Sequence, residues 1–562
     1  MENRTNARTG AQLLVDTLLT QEVRQVFCVP GESYLSVLDA FVDAPDIDVT
    51  VCRQEGGASM MADAYGKLTG EPGICFVTRG PGAANAAAGL HIARQDSTPM
   101  ILFIGQVGRN MIEREAFQEV DYRRMFGQMA KWVAEIDDPA RVPEYVSRAF
   151  HTATSGRPGP VVLALPEDML AELAPGAQTV GRYRRAEAAP TPDDLAELRD
   201  LLSAAKHPFM ILGGGGWDNS VKSAMEKFAA DNGLPVAVSF RRQDYFDNSH
   251  PNFGGDVGIH LNPDLQARIK KADLLLVAGA RMSEKSSADY TLIGIPEPDQ
   301  KLVHIHADPH ELGHVYRPTL GIAATARGFA NAIATMKPVS RPGAEADVKA
   351  LHDSYLVWNT KLPVSPGPVQ MGGIMAWLGQ RLPEDAIVCN GAGNYATWVH
   401  RFRRFTRYKS QLAPTSGSMG YGVPAAIAAK RTHPERTVVA FAGDGCFLMT
   451  GQELATAVQY KANVIIIVVN NGMYGTIRMH QERDYPGRIS ATQLTNPDFA
   501  KLAEAYGGHG EIVTSTEDFA PAFERAEASG KPAIIEVRID PEAITISATL
   551  TQIRDRALAA RD

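Results

Sequence analysis

Short runs of apolar residues along the chain are followed by glycine-containing turns and then by amphipathic segments, a pattern that predicts buried strands alternating with helices. The clearest unit joins the turn Gly443-Asp444-Gly445 to the pair Asn470-Asn471. Its expected elements are a strand at 437–442, a helix at 451–460 and a second strand at 464–469. Because the carboxyl ends of parallel strands face one crevice, Asp444 and Asn471 should lie side by side.

The same alternation recurs in two earlier regions of the chain. Apolar strands are expected at 26–29, 48–52 and 73–78, and again at 208–212, 272–279 and 302–306. Segments rich in proline, glycine or charge at 181–193 and 337–347 read as linkers. The sequence therefore predicts an α/β protein of three doubly wound parallel-sheet domains, with bounds 1–182, 190–338 and 348–562.

The length of the chain bears on its domain count, and its net charge bears on nucleic acid as a partner. At 562 residues the chain is too long for one hydrophobic core, and 56 basic against 64 acidic residues give a net charge of −8. No overall basic field favours nucleic acid. The basic segment 400–409, HRFRRFTRYK, is expected to be a solvated helix end or a patch near phosphates.

The cysteines and the apolar runs bear on the compartment. Five cysteines without CxxC spacing are expected to be reduced, buried thiols. The first twelve residues lack the apolar core of a signal peptide, and the longest aliphatic run is far shorter than a membrane span. We expect a soluble, cytoplasmic protein with no membrane or nucleic-acid partner.

The turn at Asp444 and the pair at Asn471 have the chemistry of a metal site. A carboxylate, an amide oxygen and a nearby backbone carbonyl are hard ligands, which Mg²⁺ prefers together with phosphates and water. The glycines beside Asp444 leave room for backbone N–H groups to approach a phosphate. The local interpretation is a diphosphate held through a divalent metal, and the alternative is an ordinary βαβ turn with a glycine hinge.

The 24 residues between Gly445 and Asn470 match the spacing of the GDG…NN motif of thiamine-diphosphate (ThDP) enzymes, and the chain resembles that family. The segments RGPGAAN (79–85), AFQEVD (116–121) and SGSMGYG (416–422) resemble the acetolactate synthase branch in particular. The resemblance implies ThDP and Mg²⁺ as cofactors and names the domains pyrimidine-binding, middle and diphosphate-binding.

The resemblance also implies roles for individual residues in cofactor binding. Asp444, Asn471 and the carbonyl of Met473 would ligate the metal. The residues expected to contact the diphosphate are Gly443, Gly445 and Cys446, with Gly393 and Asn394 at the outer phosphate. The carbonyl of Gly417 would accept the 4′-amino hydrogen, and Met419 would wedge between the two rings.

In the N-terminal domain, Glu55 matches the family glutamate that hydrogen-bonds the aminopyrimidine ring and drives formation of the imino tautomer. Residues expected near the cofactor there are Pro30, Gly31, Pro81 and Asn85. The alternative for Glu55 is a carboxylate that only stabilises the start of a helix, worth about 0.3–1 kcal/mol.

Substrate-facing roles are implied for Gln118 and for Arg281, which would receive a second 2-oxo acid. Arg478 stands where decarboxylases of the family often place a glutamate, and His480 stands where acetolactate synthases place a tryptophan. An arginine and a histidine at these positions suggest recognition of an anion or proton transfer. The alternative is a surface helix start. Other departures from the acetolactate synthases are Tyr395 and Met282.

The predicted function is ThDP- and Mg²⁺-dependent decarboxylation of a 2-oxo acid followed by carboligation of the acyl carbanion to an aldehyde or a second 2-oxo acid. Alternatives are a non-ligating decarboxylase, an oxidase with FAD in the middle domain, and a silent ThDP-binding regulatory paralogue. FAD is not favoured, since Gly213–Gly216 lacks a GxGxxG pattern. The family implies a homodimer or homotetramer with active sites at subunit interfaces.

Overall fold

The computed structural model describes residues 7–561, and it contains three six-stranded parallel sheets flanked by helices. The predicted α/β class with three domains is therefore confirmed, while the predicted domain bounds stay predictions. The chain forms two compact units. One comprises the described residues up to Ala186 with Ile427–Thr432, and the other comprises Glu187–Ala426 with the residues from His433 onward. The signal-peptide expectation rests partly on residues 1–6, which lie outside the described residues.

The N-terminal sheet has the strand order β3-β2-β4-β5-β7-β6, and β1 pairs with β8 in a small antiparallel sheet. The strands are β1 (Arg8–Thr9), β2 (Gln25–Cys28), β3 (Asp48–Val51), β4 (Gly73–Val77), β5 (Met100–Gln106), β6 (Trp132–Glu135), β7 (Pro160–Pro166) and β8 (Leu173–Ala174). The helices are α1 (Gly10–Thr20), α2 (Leu35–Ala40), α3 (Glu55–Thr69), α4 (Gly80–Asp96), α5 (Tyr122–Phe126), α6 (Val142–Thr154) and α7 (Glu167–Ala171).

Helix α3 is held close to its neighbours by small residues. The side chain of Gln54 accepts a hydrogen bond from the N–H of Gly57 at 3.1 Å and caps the helix, so that Glu55 begins its first turn. A Cβ on Gly89 of α4 would lie 2.2 Å from Oγ of Ser59, and one on Gly73 of β4 would lie 1.8 Å from the carbonyl oxygen of Ala62. Close backbone packing thus fixes Glu55 relative to the end of β4.

The middle domain has the strand order β11-β10-β9-β12-β13-β14. Its strands are β9 (Pro208–Leu212), β10 (Val236–Ser239), β11 (Phe253–Val257), β12 (Leu274–Ala278), β13 (Lys301–His306) and β14 (Leu320–Ala323). Its helices are α8 (Pro192–Ala204), α9 (Asn219–Asp231), α10 (Pro263–Lys270) and α11 (Ala326–Ile333), and α12 (Ala344–Thr360) follows and packs on β11.

The C-terminal sheet has the strand order β16-β15-β17-β18-β20-β19. Its strands are β15 (Ile387–Asn390), β16 (Gln411–Leu412), β17 (Val438–Gly443), β18 (Ile465–Asn470), β19 (His509–Val513) and β20 (Ala533–Arg538). Its helices are α13 (Met371–Arg381), α14 (Ala396–Phe402), α15 (Gly422–Thr432), α16 (Asp444–Phe447), α17 (Leu454–Gln459), α18 (Gly475–Asp484), α19 (Phe499–Ala505), α20 (Phe519–Ala528) and α21 (Leu550–Ala559).

The expected βαβ unit at the centre of this sheet is present, with both strands one residue later than predicted. The helix predicted at 451–460 begins as a 3₁₀ turn and becomes α17, and the short helix α16 starts directly after Gly443. Strands β17 and β18 are hydrogen-bonded neighbours, with Gly443 opposite Val469. Their polar carboxyl-terminal residues therefore meet at one edge.

The basic segment 400–409 matches its prediction as a solvated helix end only in part, because Arg404 and Arg407 are exposed whereas Arg403 is buried. Arg403 is 5% exposed, and its guanidinium donates to the carbonyl oxygen of Pro383 at 3.1 Å. The guanidinium carbon of Arg401 lies 3.8 Å from the ring centroid of Trp358. Arg401 and Arg403 pack within the protein, because a long side chain can bury its aliphatic part while its guanidinium group keeps polar or aromatic partners.

All five cysteines are buried free thiols, as the sequence predicts. Among the helices of residues 7–561, none is long and apolar enough to cross a membrane.

Gly73→Ala should destabilise the protein by about 1–3 kcal/mol, because the added methyl group overlaps the Ala62 carbonyl and α3 must shift. Gly379→Ala in α13 is the control: nothing lies within 4 Å of its added Cβ, so it should be neutral or stabilise by about 0.4–1 kcal/mol. Calorimetric melting curves of the two variants check this difference. Equal melting temperatures would show that the close approach of β4 and α3 is wrong.

Candidate functional site

The carboxyl ends of β15, β17 and β18 open on one cavity of about 230 Å³, here called the strand-end cavity. It is lined by the cofactor and metal residues predicted in this domain, namely Gly393, Asn394, Gly417, Met419, Gly443, Asp444, Gly445, Cys446, Asn471 and Met473. The fold thus brings together segments that are far apart in sequence.

Asp444 is the buried charge at the base of this cavity, at 2% exposure. Its Oδ1 accepts the N–H of Gly445 at 2.9 Å, and its Oδ2 accepts the N–H of Gly472 at 2.9 Å and Nδ2 of Asn496 at 2.7 Å. Burial raises the pKa of this carboxyl, while these hydrogen bonds oppose the rise. The donors orient the carboxylate, and carboxylate oxygens held in this way are also suitable ligands for a cation.

Asn471 lies beside Asp444, and its amide oxygen can accept a further contact. Its Oδ1 accepts the N–H of Met473 at 3.3 Å, which leaves a second lone pair on the amide oxygen. A partly satisfied carboxylate and an amide oxygen, with a backbone carbonyl at Met473, form a donor set that suits Mg²⁺. The residues present fit the predicted metal.

Asn496 was not among the predicted site residues. It lies beyond α18 and joins the two strand ends, because its Nδ2 contacts Asp444 and also Oδ1 of Asn470 at 3.0 Å. The other end of Asn470 donates to Oε1 of the buried Glu536 at 2.7 Å. The only sequence signal was an Asn-Pro-Asp turn, which is also common in ordinary loops.

Glycines in the cavity wall let two tyrosine rings approach the backbone closely. A Cβ on Gly445 would lie 2.6 Å from the Tyr474 ring, and Gly393 has φ +148°, which disfavours other residues. The Tyr395 ring packs within 2.8 Å of the Cβ position of Gly393. The two tyrosine rings can therefore pack against the backbone of the cavity only because these positions carry no Cβ.

Tyr395, a departure from the acetolactate synthases, forms part of this wall. Its hydroxyl accepts the N–H of Gly391 at 3.1 Å and contacts Sγ of Cys446 at 3.2 Å, and that sulfur accepts the N–H of Gly420 at 3.2 Å. Burial raises the pKa of the Tyr395 hydroxyl well above its usual range. The pair links three backbone segments that line the cavity.

Asn394 contacts both α18 and the C-terminal segment. Its backbone N–H donates to Oγ1 of Thr476 at 3.0 Å, and its Nδ2 donates to the carbonyl oxygen of Ile544 at 3.0 Å. Ile539, Ala543 and Ile544 complete the lining. Sequence reasoning missed these residues, because an apolar side chain after a strand ordinarily signals core.

The predicted residues of the N-terminal domain gather at the ends of β2, β3 and β4. Oε2 of Glu55 accepts Nδ2 of Asn85 at 2.9 Å, and a Cβ on Gly82 would lie 3.3 Å from Oε1. Pro81 is exposed one residue before Gly82. Pro30 and Gly31 follow β2, where a Cβ on Gly31 would lie 2.5 Å from Thr78.

Gln118 lies in a loop pinned to this edge. It has φ +64°, and its carbonyl oxygen accepts the N–H of Gly80 at 3.0 Å. Arg79, which replaces the family serine, is 7% exposed and donates to Oε2 of Glu167 at 2.6 Å. The loop is thus held next to the turn that begins α4.

Arg478 and His480 lie within α18, and Arg478 is engaged in a buried ion pair. Its guanidinium is 2.5 Å from Oε1 of Glu482, which Arg554 of α21 also contacts at 2.5 Å. Hydrogen bonds, chiefly from Arg554, lower the pKa of Glu482 to about 2. Glu482 and Arg554 therefore link α18 to α21, and Arg478 is buried beside this pair, contrary to a surface helix start. The predicted anion-binding role of Arg478 stays a prediction.

Arg281 follows β12 in a segment with unusual backbone conformations. Met282 has φ +49°, and Ala288, Asp289 and Tyr290 also have positive φ. Burial, and then the charge of Arg483, lower the pKa of His480, and Lys285 from this segment adds to the effect. Such strained positions concentrate at functional sites, but the substrate roles of Arg281 and His480 stay predictions.

The glycine turn of the middle domain is filled by the protein itself. A Cβ on Gly214 would lie 2.1 Å from the carbonyl oxygen of Gly279. The Trp217 indole donates to the carbonyl of Gly213 at 2.8 Å, and the Tyr245 hydroxyl donates to that of Gly214 at 2.9 Å. Trp217 and Tyr245 pack with their ring centroids 4.6 Å apart. This turn does not fit a flavin.

Comparison with known proteins agrees with the geometry. Three family models match: Thiamine pyrophosphate enzyme, N-terminal TPP binding domain (residues 8–125), central domain (195–333) and C-terminal TPP binding domain (391–537). The chain is similar to the acetolactate synthase large subunit of Corynebacterium glutamicum, with 31% identity over 95% of this chain and 87% of the relative.

It is also similar to the acetolactate synthase isozyme 2 large subunit of Escherichia coli, with 30% identity over 94% of this chain and 95% of the relative. A probable acetolactate synthase large subunit of Methanocaldococcus jannaschii is 29% identical over 95% of this chain and 92% of its own length. Both the resemblance predicted from sequence and the enzyme class are confirmed. The chain belongs to the thiamine pyrophosphate enzymes and is an acetolactate synthase-like member of that family.

Proposed function

We propose that the chain catalyses ThDP- and Mg²⁺-dependent decarboxylation of a 2-oxo acid and joins the remaining acyl fragment to an aldehyde or a second 2-oxo acid. The observation that carries this proposal is the strand-end cavity, where Asp444 and Asn471 meet a set of glycine-lined backbone segments. The similarity to acetolactate synthases supports carboligation over simple decarboxylation.

The metal would be held by Asp444, Asn471 and the carbonyl of Met473. The diphosphate would contact the backbone at Gly443, Gly445 and Cys446, with Gly393 and Asn394 at its outer phosphate. Gly417 and Met419 would receive the rings. When bound, ThDP supplies a nucleophilic thiazolium carbon that adds to the substrate carbonyl and allows carbon dioxide to leave.

Glu55 would hold the proton that activates the cofactor. Asn85 occupies Oε2 of the carboxyl, which leaves Oε1 to share a proton with a ring nitrogen, and Gly82 leaves space beside that oxygen. Pro30, Gly31 and Pro81 would line the same region. A fixed carboxyl orientation favours proton transfer because the transfer needs hydrogen-bond geometry.

Substrate selection is assigned to Gln118, Arg281 and His480, with Arg478 acting through its ion pair. Gln118 is presented by a loop anchored at Gly80, and Arg281 lies in the strained segment that also carries Lys285. Guanidinium groups suit the carboxylate of a 2-oxo acid.

We propose that the protein works as a homodimer or homotetramer with active sites at subunit interfaces. Each compact unit exposes large apolar side chains, with Val42 at 78% and Phe117 at 70% in one and Met449 at 47% and Ile477 at 54% in the other. Exposed apolar surface of this kind favours association. The buried thiols support a cytoplasmic location.

Glu55→Gln should lower turnover by about 10²–10⁴-fold while ThDP still binds, because the amide cannot take the proton. The matched control is Glu144→Gln, since Glu144 is also a first-turn carboxylate, in α6. Carbon dioxide release from a panel of 2-oxo acids measures the effect. Equal losses in both variants would mean that Glu55 acts only on the helix dipole.

Asn496→Ala should weaken Mg²⁺ activation by about 10–100-fold, because Asp444 loses the partner that orients it. The measurement is the Mg²⁺ concentration that gives half-maximal turnover at saturating ThDP. Thr514→Ala is a surface control. An unchanged Mg²⁺ requirement would contradict the orienting role of Asn496.

Product analysis distinguishes the reaction types. With pyruvate and an aldehyde acceptor, the wild-type chain should release carbon dioxide and form a coupled hydroxyketone or acetolactate. Acetaldehyde as the sole product would overturn carboligation in favour of a decarboxylase. Bound ThDP without turnover or thiazolium proton exchange would instead favour the silent paralogue.

A further inference from the structure

A short segment of the middle domain, residues 241–244, contacts the C-terminal domain. The residues that it contacts directly precede the cavity-lining residues Gly417 and Met419 in sequence. It follows β10 and reaches β16 and the residues after it. Both domains belong to the same compact unit. The segment therefore connects a domain with no cavity-lining residues to the part of the chain that leads into the cavity.

Two residues of this segment fix β16. The N–H of Gln243 donates to Oε1 of Gln411 at 2.8 Å, and Nε2 of Gln411 donates back to Oε1 of Gln243 at 2.8 Å. Oδ2 of the buried Asp244 accepts the N–H groups of Ser410 and Gln411 at 3.2 and 3.4 Å. These contacts set the position of residues 410 and 411.

Arg241 makes the contact closest to the cavity. It is 4% exposed, and its Nη1 donates a hydrogen bond to the carbonyl oxygen of Pro414. The same oxygen accepts the N–H of Gly417 at 3.0 Å. Gly417 has φ +66° and lines the cavity with Met419. The oxygen that closes the turn 414–417 is thus also the oxygen that Arg241 holds.

The backbone of Arg241 is itself in an unfavourable conformation. Its φ of +60° lies in the left-handed region, which a residue with a Cβ enters at a cost. Such a conformation persists where surrounding contacts over-determine it, and it concentrates at functional sites. Glycine would adopt this φ without strain. The contacts of the Arg241 side chain must therefore offset the energetic cost of its backbone conformation.

The charge of Arg241 also acts near the cavity wall. Burial, and then the Arg241 charge, lower the pKa of His400 well below its usual value. The same charge opposes the burial-driven rise in the pKa of Tyr395, which lines the cavity. The guanidinium is therefore an electrostatic neighbour of the site as well as a backbone anchor.

We propose that Arg241 is a positioning residue for the cofactor: its hydrogen bond to Pro414 holds the turn 414–417 so that Gly417 and Met419 meet the rings of ThDP. This inference rests on the proposed function, since it concerns the cofactor assigned to that cavity. It gives the middle domain a part in cofactor binding that requires no nucleotide of its own.

Arg241→Gly separates this role from folding. Glycine relieves the positive φ and so offsets part of the loss of the buried side chain. The ligand-free variant should stay folded, while its backbone amides of 415–420 exchange with deuterium faster. ThDP should bind at least tenfold more weakly in calorimetric titrations with Mg²⁺, and kcat should fall. Arg241→Lys, which keeps a donor and a charge, should recover part of the affinity.

Lys461→Gly is the matched control, because Lys461 also has a positive φ, +51°, on an exposed turn of the C-terminal domain. It should change neither amide exchange in 415–420 nor ThDP affinity. Wild-type ThDP affinity and wild-type amide exchange in Arg241→Gly would overturn the inference. If Arg241→Gly misfolds, a folded Arg241→Lys that recovers no ThDP affinity would overturn it as well. A wild-type chain that binds no ThDP would overturn the proposed function instead.

Discussion

The site depends on one constraint: the buried Asp444 carboxylate, where the adjacent strands β17 and β18 end, must receive hydrogen bonds. Burial at 2% exposure disfavours the charged form of Asp444, and hydrogen bonds from Gly445, Gly472 and Asn496 oppose that effect. Two of these donors are fixed by the neighbouring β18 and the loop beyond it. A cation bound to this carboxylate would offset the burial that raises the Asp444 pKa, so metal binding would be coupled to the order of the cavity.

The rest of the C-terminal domain presents its other segments to this carboxylate. Tyr395 and Cys446 tie the turns at Gly391 and Gly420 to α16, and Asn394 ties the same region to α18 and the segment at Ile544. The middle domain adds support from outside through residues 241–244. Rigid surrounding contacts of this kind favour the binding of a flexible cofactor, because loosely held contacts would select no single conformation.

Much of this arrangement could be predicted from sequence, for physical reasons. Strands β17 and β18 are nearly continuous apolar runs, so their bounds were predicted to within one residue, and parallel pairing then brought Asp444 and Asn471 together. Asn496 and Ile544 could not be found, because a lone loop amide and an apolar residue have no periodicity that marks a site. The burial of Arg403 also escaped prediction, since its charge suggests solvent while its partner is a backbone carbonyl.

The measurement that tests the central claim most directly is calorimetric binding of ThDP to the wild-type chain, first with the divalent metal removed by a chelator and then with Mg²⁺ restored, alongside Asp444→Asn. Binding that appears only with Mg²⁺ and is lost in the variant is the predicted result, because in the proposed site the carboxylate would hold the metal and the metal would hold the diphosphate. Binding of equal strength in all three conditions would contradict a metal-mediated site at Asp444.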